Sequence, residues 1–310
     1  MPQYYLVPKR LAERVPALGS AAQSFEAFVF RSIFWLIRRL SLAKATALAG
    51  FFFRTTGPLG DKAKKAKTNL GIAFPDASAQ WIDTTTRGIF QHLGISTSEL
   101  IKLEQIWQER DQRLEFNLED AARAHLEQKG AVVFVCAHVG AWQLTNFIAG
   151  HMGLNISTVY APESNPALRD MMLGLRNHMG VNLIPSDAGV RPLIKELNNG
   201  NCIGMAMDTR LNTGKLISFF GKEALTNTTA ARLALRTGAA LIPINAVRLP
   251  GQRYRIDVYD PLVCENDSLD MDAQAEALTA RINGHFEEWI KATPDQWICL
   301  KRRWPKAHKL

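Results

Sequence analysis

Residues 131–143 read Ala-Val-Val-Phe-Val-Cys-Ala-His-Val-Gly-Ala-Trp-Gln, and two of them carry groups that could do chemistry. His138 offers an imidazole whose reference pKa of about 6.5 leaves it largely neutral at pH 7, which suits a general base for a hydroxyl. Gln143 follows five residues later. On one continuous helix that spacing would point the side chains about 140° apart at 3.6 residues per turn. They meet only if His138 lies in a turn and Gln143 in the first turn of the helix behind it. Gly140, free to take left-handed dihedrals, allows such a turn. A carboxylate at 143 would hold the Nδ1–H tautomer, stabilise the imidazolium and leave Nε2 to accept a proton. Gln143 offers a neutral carbonyl instead, or an N–H if the amide is turned over.

These groups need a frame. The apolar, valine-rich run before His138 reads as a strand buried on both faces of a sheet. His138 then stands at the carboxyl edge, where the loops of an open α/β sheet leave a crevice for ligands. From residue 131 onward strands and helices alternate as in βαβ units, with strands expected at 131–137, 156–160, 181–185, 202–207, 241–247 and 255–259. Helices are expected at 141–152, 166–179, 188–198, 227–237 and 271–292. Ahead of them, 79–104 reads as a long helix and 119–129 as a short amphipathic one ended by Gly130. The predicted class is α/β, with a mixed, mostly parallel central sheet flanked by helices. Residues 61–310 form one catalytic domain behind a helical extension over 1–60.

The chain has 310 residues, within reach of one α/β domain with helical additions, and a net charge of +8 that favours anionic partners. Between Ala27 and Gly60 no acidic residue occurs, while Phe28, Phe30, Ile33, Phe34, Trp35, Leu36 and Ile37 crowd together among Arg31, Arg38, Arg39 and Lys44. A spanning helix needs about 20 predominantly apolar residues, a test this stretch fails. An interfacial helix on an anionic membrane fits best, beside a core-facing helix or a short tilted span. The lysine-rich stretch Asp61-Lys-Ala-Lys-Lys-Ala-Lys67 continues that surface. The basic C-terminal stretch 301–306 with Trp304 inside it resembles a headgroup-level anchor. It would also suit nucleic acid, but no nucleic-acid motif accompanies it and no such partner is expected. Cys136, Cys202, Cys264 and Cys299 are too scattered for a zinc site or a disulfide framework and read as reduced thiols of a cytosolic compartment. No signal peptide is expected from the N-terminus.

His138 with position 143 resembles the His-x-x-x-x-acid motif of the lysophospholipid acyltransferase superfamily, and the surroundings resemble its bacterial lipid A branch, the lauroyl/myristoyl acyltransferases. The likeness runs from about Leu48 to Trp304. It takes in Asn69-Leu-Gly-Ile-Ala-Phe-Pro75, Asp208-Thr-Arg210, Phe219-Phe-Gly221 with the Ala230–Ala239 segment, and Gln296-Trp297 with Lys301-Arg-Arg303. One departure stands out: the family has Glu where this chain has Gln143.

The resemblance implies a glycerol-3-phosphate acyltransferase-like fold and transfer of a fatty acyl group from acyl-acyl carrier protein to a hydroxyl of a lipid A precursor or similar phosphorylated glycolipid. It implies the cytoplasmic face of the inner membrane, no metal or other cofactor, and no covalent acyl-enzyme, in keeping with the lack of a Gly-x-Ser-x-Gly elbow. An acyl-CoA donor, or a phospholipid, ornithine lipid or mannosylated lipid acceptor, is the alternative within the same chemistry. His138 would be the base. Asp208 and Arg176 carry over by position, with Arg169 an equal candidate to Arg176. Arg210 beside Asp208 could shape a phosphate-facing pocket, because a planar guanidinium grips carboxylate or phosphate at two points. Lys222, Arg232 and Arg236 are further candidate phosphate contacts. Where a serine protease loses the acid behind its histidine to an amide, turnover falls about 10⁴-fold. By that logic Gln143 predicts a crippled transferase, through an active-site replacement or as a catalytically silent lipid-binding paralogue.

Overall fold

The computed structural model describes residues 16–163, 166–177, 181–266 and 268–305. Helices come first: α1 Pro16–Arg39, α2 Leu42–Thr56, α3 Asp61–Ala73 and α4 Ala79–Ile101. Ser41 and Ser78 cap α2 and α4, each accepting a hydrogen bond from the amide three residues on, which satisfies one of the otherwise unpaired N–H groups of a first turn. Short helices α5 Leu103–Gln108 and α6 Arg110–Arg113 lead into β1 Leu114–Leu118 and α7 Asp120–Glu127. The expected helix over 79–104 therefore breaks at Lys102. That residue is buried, and its ammonium donates to the carbonyl of Arg38, 2.8 Å away, tying the break to the end of α1.

The second half alternates as predicted. It comprises β2 Val132–Cys136, a 3-10 turn Trp142–Phe147 continuing into α8 Ile148–Met152, β3 Ile156–Tyr160, α9 Pro166–Asn177, β4 Asn182–Pro185, α10 Arg191–Asn198 and β5 Cys202–Ala206. A hairpin of β6 Arg210–Phe219 and β7 Lys222–Thr226 follows, then α11 Thr229–Thr237, β8 Ala240–Leu249, β9 Arg253–Val258 and α12 Met271–Ala292. The main sheet runs β1-β9-β8-β2-β5-β3-β4, and its pairs are parallel except for β8 against β9. The central sheet is thus mixed and mostly parallel, flanked by helices.

Strand β2 sits near the middle and explains its own composition. Val133 and Val135 face one apolar cluster, shared with α3, α10, α11 and α12. Val132 and Phe134 face a second, shared with α7, α8 and β9. Side chains alternate along a strand, so covering both faces demands an unbroken apolar run. The strand set misses β1 and the β6–β7 hairpin. Exposed residues dominate β6, which pairs outside the main sheet and so needs no apolar run.

Candidate active site

Strand β2 ends at Cys136, and the chain turns at His138 through Gly140, whose φ of 60° is the left-handed value the turn was expected to need. A side chain there would also strike the carbonyl of Ala246, with a Cβ only 2.3 Å from the oxygen. The neighbouring Ala141 amide donates to that same carbonyl at 2.9 Å, fastening the turn to β8. Glycine is required twice over at this place.

The imidazole pairs with Asp208 and not with Gln143, although both His138 and Gln143 line one cavity. His138 Nδ1 is 2.6 Å from Asp208 Oδ1, and the second carboxylate oxygen accepts a 3.0 Å hydrogen bond from the indole N–H of Trp297. Asp208 follows β5, the parallel neighbour of β2, so two adjacent strand ends place base and acid side by side. The expected contact between position 143 and the ring is corrected here. Gln143 lies in the 3-10 turn, where its amide donates to the carbonyl of Ser96 on α4 at 3.4 Å. The position that the sequence pattern reserves for the acid is therefore not the partner of His138 in space; an aspartate 70 positions on takes that place.

Electrostatics favour a charged pair. Burial disfavours the imidazolium, but the charge of Asp208 and its hydrogen bond outweigh burial and hold the His138 pKa above its ordinary value, with Lys301 pulling the other way. Burial likewise penalises the Asp208 carboxylate, and His138 together with the Trp297 hydrogen bond more than offsets it, so the pKa lies below the usual carboxylate range. Nδ1 engaged by a carboxylate leaves Nε2 as the nitrogen that can accept a proton. Cys136, close by, is no competing nucleophile: burial pushes its thiol up to about 12.

Two spaces meet at the ring. On one side a cavity of about 270 Å³ runs between β2, β3, β5 and the 3-10 turn, with walls that include Phe134, Ile148, Ile156, Leu183 and Ile244. On the other, a more polar cleft is lined by Asp208, Arg210, Asn227, Lys301 and Arg303. His138 lines both. Among the described residues no group of three His, Cys, Asp or Glu side chains is placed to hold a metal ion.

The C-terminal segment closes the cleft. Asn69, wholly buried on α3, donates to the carbonyls of Cys299 and Lys301 at 2.8 and 2.7 Å and accepts from the Arg303 amide at 3.0 Å. The Ile298 amide donates to the His138 carbonyl at 2.8 Å. Phe219 stacks on Trp304 and Phe220 on Trp297, with the other two pairs edge-on, so the Phe-Phe-Gly turn and the Gln-Trp segment share one aromatic cluster. Sequence blocks far apart in the chain thus converge behind the dyad. The roles of Trp297, Asn69 and Arg303 went unread, because spacing alone does not say which blocks touch.

Of the remaining candidates, Arg210 lines the polar cleft with Asp208. Arg232 turns away to Asp272 on α12 at 2.7 Å, while Arg236 and Lys222 are exposed, and none of the three lines the two spaces at His138. The side chain of Arg176, on α9, lies outside the described residues.

Residues 19–306 match the family model of the bacterial lipid A biosynthesis acyltransferases. The chain is similar to a phosphatidylinositol mannoside acyltransferase of Mycobacterium tuberculosis, 27% identical over 177 residues, covering 56% of this chain and 54% of that one. It also resembles a lipid A biosynthesis acyltransferase of Haemophilus influenzae, 21% identical over 254 residues and covering 78% and 76% of the two chains. The chain spans about half the length of the first of these relatives. Among solved structures, the 1-acyl-sn-glycerophosphate acyltransferase of Thermotoga maritima matches at a TM-score of 0.37 and 13% identity, over 80% of this chain and 97% of that one. With the match extending over almost the whole described length, the chain belongs to the bacterial lipid A biosynthesis acyltransferase family.

Proposed function

We propose that this chain transfers a fatty acyl group from a thioester donor, an acyl-acyl carrier protein or acyl-CoA, to a hydroxyl of a phosphorylated glycolipid such as a lipid A precursor or a mannosylated lipid. The acyl chain lies in the apolar cavity and brings its thioester carbonyl to His138. The acceptor enters from the polar cleft, its hydroxyl at Nε2. His138 takes the hydroxyl proton as the oxygen attacks the carbonyl, and Asp208 stabilises the imidazolium that forms. The tetrahedral intermediate expels the thiolate, which receives the proton from Nε2, and the ester leaves. No covalent acyl-enzyme is needed.

The observation that carries this reading is the 2.6 Å His138–Asp208 contact at the meeting of an apolar cavity and a basic cleft. It also changes the meaning of Gln143. The catalytic carboxylate is supplied by Asp208, so the amide at 143 does not deprive the base of its acid, and the chain is an active enzyme. Incubating it with lauroyl-acyl carrier protein or lauroyl-CoA and a lipid A precursor, then weighing the lipid, tests the proposal. An acyl mass gain lost in His138→Ala supports it; a gain that persists in His138→Ala refutes it, as does a wild-type chain inert with every donor and acceptor of these classes.

The setting we propose is the surface of an anionic membrane, at the cytoplasmic face of the inner membrane. No helix among the described residues is long and apolar enough to cross a bilayer. Support comes from α1 and α2, which bury Ala27, Ile37, Leu42 and Ala45 against the domain and leave Phe28, Trp35, Phe51 and Phe52 more than half exposed. Arg31, Arg38, Arg39 and Lys44 are interspersed, the pattern of a helix lying in the headgroup layer.

A further inference from the structure

The walls of the cavity beside His138 are not apolar throughout. Gln143, Thr145, Asn146 and Thr158 bring amide and hydroxyl groups in among its hydrocarbon side chains. The two threonines are engaged within the protein: Thr145 Oγ1 donates to the Trp142 carbonyl at 2.7 Å, and Thr158 Oγ1 to Asn146 Oδ1 at 2.8 Å. The two amides are engaged at one end only. Among the described residues, Asn146 Nδ2 donates to no group and Gln143 Oε1 accepts from none, the Gln143 nitrogen reaching the Ser96 carbonyl at 3.4 Å. Each amide therefore keeps a free hydrogen-bonding end in a residue that lines the cavity.

Local structure brings the two amides together. Residues 142–147 form a 3-10 turn, in which side chains three apart eclipse and each residue rises about 2 Å. Gln143 and Asn146 thus stand one above the other, their backbones about 6 Å apart, room for one oxygen between two hydrogen bonds of about 2.9 Å. The α-helix expected over this stretch would have turned them about 60° out of line. Gly204 of β5 is the register partner of Thr158 on β3 and adds no side chain to the space; a Cβ there would lie 3.3 Å from Thr158 Oγ1 and 3.5 Å from Asn146 Oδ1. The Thr158–Asn146 bond lies over bare backbone and fixes one end of the amide.

An unsubstituted alkyl chain filling this cavity buries both free ends without partners, and an unpaired amide in a water-poor site bears its full desolvation penalty. A hydroxyl oxygen set between them satisfies both, accepting from Asn146 Nδ2 and donating to Gln143 Oε1. We infer that the cavity selects a donor acyl chain that carries a hydroxyl near its thioester end, with Asn146 and Gln143 as the residues that read it. Trp142 sets the position: its ring centroid is 5.5 Å from that of His138, and Gln143 is its neighbour in the chain, so the amide pair stands close to the reacting carbonyl. The inference rests on the reading of this cavity as the seat of the donor chain. It gives the amide at 143 a task separate from the base.

The test offers the full chain two donors in competition, 3-hydroxylauroyl and lauroyl thioesters of one carrier, and weighs the acylated lipid; a second competition replaces the first donor by its 12-hydroxy isomer. The expected preference for the 3-hydroxy chain is about tenfold for each free amide end, with none for the 12-hydroxy chain. Asn146→Leu and Gln143→Leu should each cut that preference about tenfold. Gln143 is bonded only at 3.4 Å, so its variant reports even where Asn146→Leu fails to fold. Calorimetry with free 3-hydroxylaurate and laurate should give the same order of preference without turnover, which separates this inference from the role of His138 as base. Equal use of 3-hydroxylauroyl and lauroyl donors by the wild type, an equal preference for the 12-hydroxy chain, or a preference that survives in every folded variant overturns the inference. Gly204→Leu, which fills the cavity, should weaken binding of both acids; unchanged binding of both rejects the cavity as the seat of the donor and the inference with it.

Discussion

At the scale of residues, the proposed chemistry depends on a histidine whose proton affinity is raised by a buried aspartate. The base must be deprotonated to act, and a raised pKa means the proton leaves at higher pH. Transfer should therefore climb with pH through a midpoint above about 6.5, the ordinary imidazole value. Asp208→Asn removes the charge that chiefly raises it and leaves only a neutral amide beside the ring, so burial prevails and the midpoint moves down while the maximal rate falls; a pH profile of turnover checks both. Trp297→Phe leaves one oxygen of a buried carboxylate unpartnered, costing about 1–3 kcal/mol, and should lower the rate by less than loss of the carboxylate itself. His138 was legible as a polar group at the end of an apolar run, and Asp208 through the family resemblance. Their pairing was not, because adjacency of β2 and β5 is a fact of topology, and a motif spacing drew attention to Gln143 instead.

At the scale of elements, the turn after β2 is the most constrained piece. Gly140→Ala should lower stability to chemical denaturation by about 1–3 kcal/mol, since the left-handed φ and the Ala246 carbonyl both oppose a side chain. Asn69→Ala leaves buried carbonyls and an amide of the C-terminal segment unpaired, for a loss of similar size, and should reduce activity by loosening Trp297 behind the dyad. In the apolar cavity, a side chain built at Gly204 meets Thr158 Oγ1 at 3.3 Å and Asn146 Oδ1 at 3.5 Å. Gly204→Leu should shift preference toward shorter acyl donors, by about tenfold or more in relative rate per methylene excluded, read from competing donors. Strands β2 and β5 and most of β8 were legible because burial on both faces writes an apolar run, whereas β3, β4 and β9 carry polar residues and were read from branched and aromatic residues at βαβ spacing. The edge strand β1 alternates polar with apolar residues, and the exposed hairpin carries no such run, so composition hid both. The helix expected over 141–152 starts as a 3-10 turn over Trp142–Phe147 and becomes α-helical only from Ile148.

At the scale of the whole molecule, the +8 charge and the exposed aromatic face of α1 and α2 predict binding to vesicles containing anionic phospholipid, weakened by salt. Phe51→Ser with Phe52→Ser should reduce co-sedimentation while leaving the fold intact, because both side chains are more than half exposed. Close packing of α2 on α4, where a Cβ at Gly94 would sit 2.4 Å from the Ala49 carbonyl, gives this face a fixed orientation relative to the cleft. Acyl transfer by the intact chain decides the central matter, which carboxylate serves His138. Rates of the wild type, Asp208→Asn and Gln143→Glu should be measured side by side with one donor and one acceptor. The expected result is a fall of about 10⁴-fold for Asp208→Asn and no gain for Gln143→Glu. A silent wild type rescued by Gln143→Glu, with Asp208→Asn indistinguishable from its parent, would contradict it.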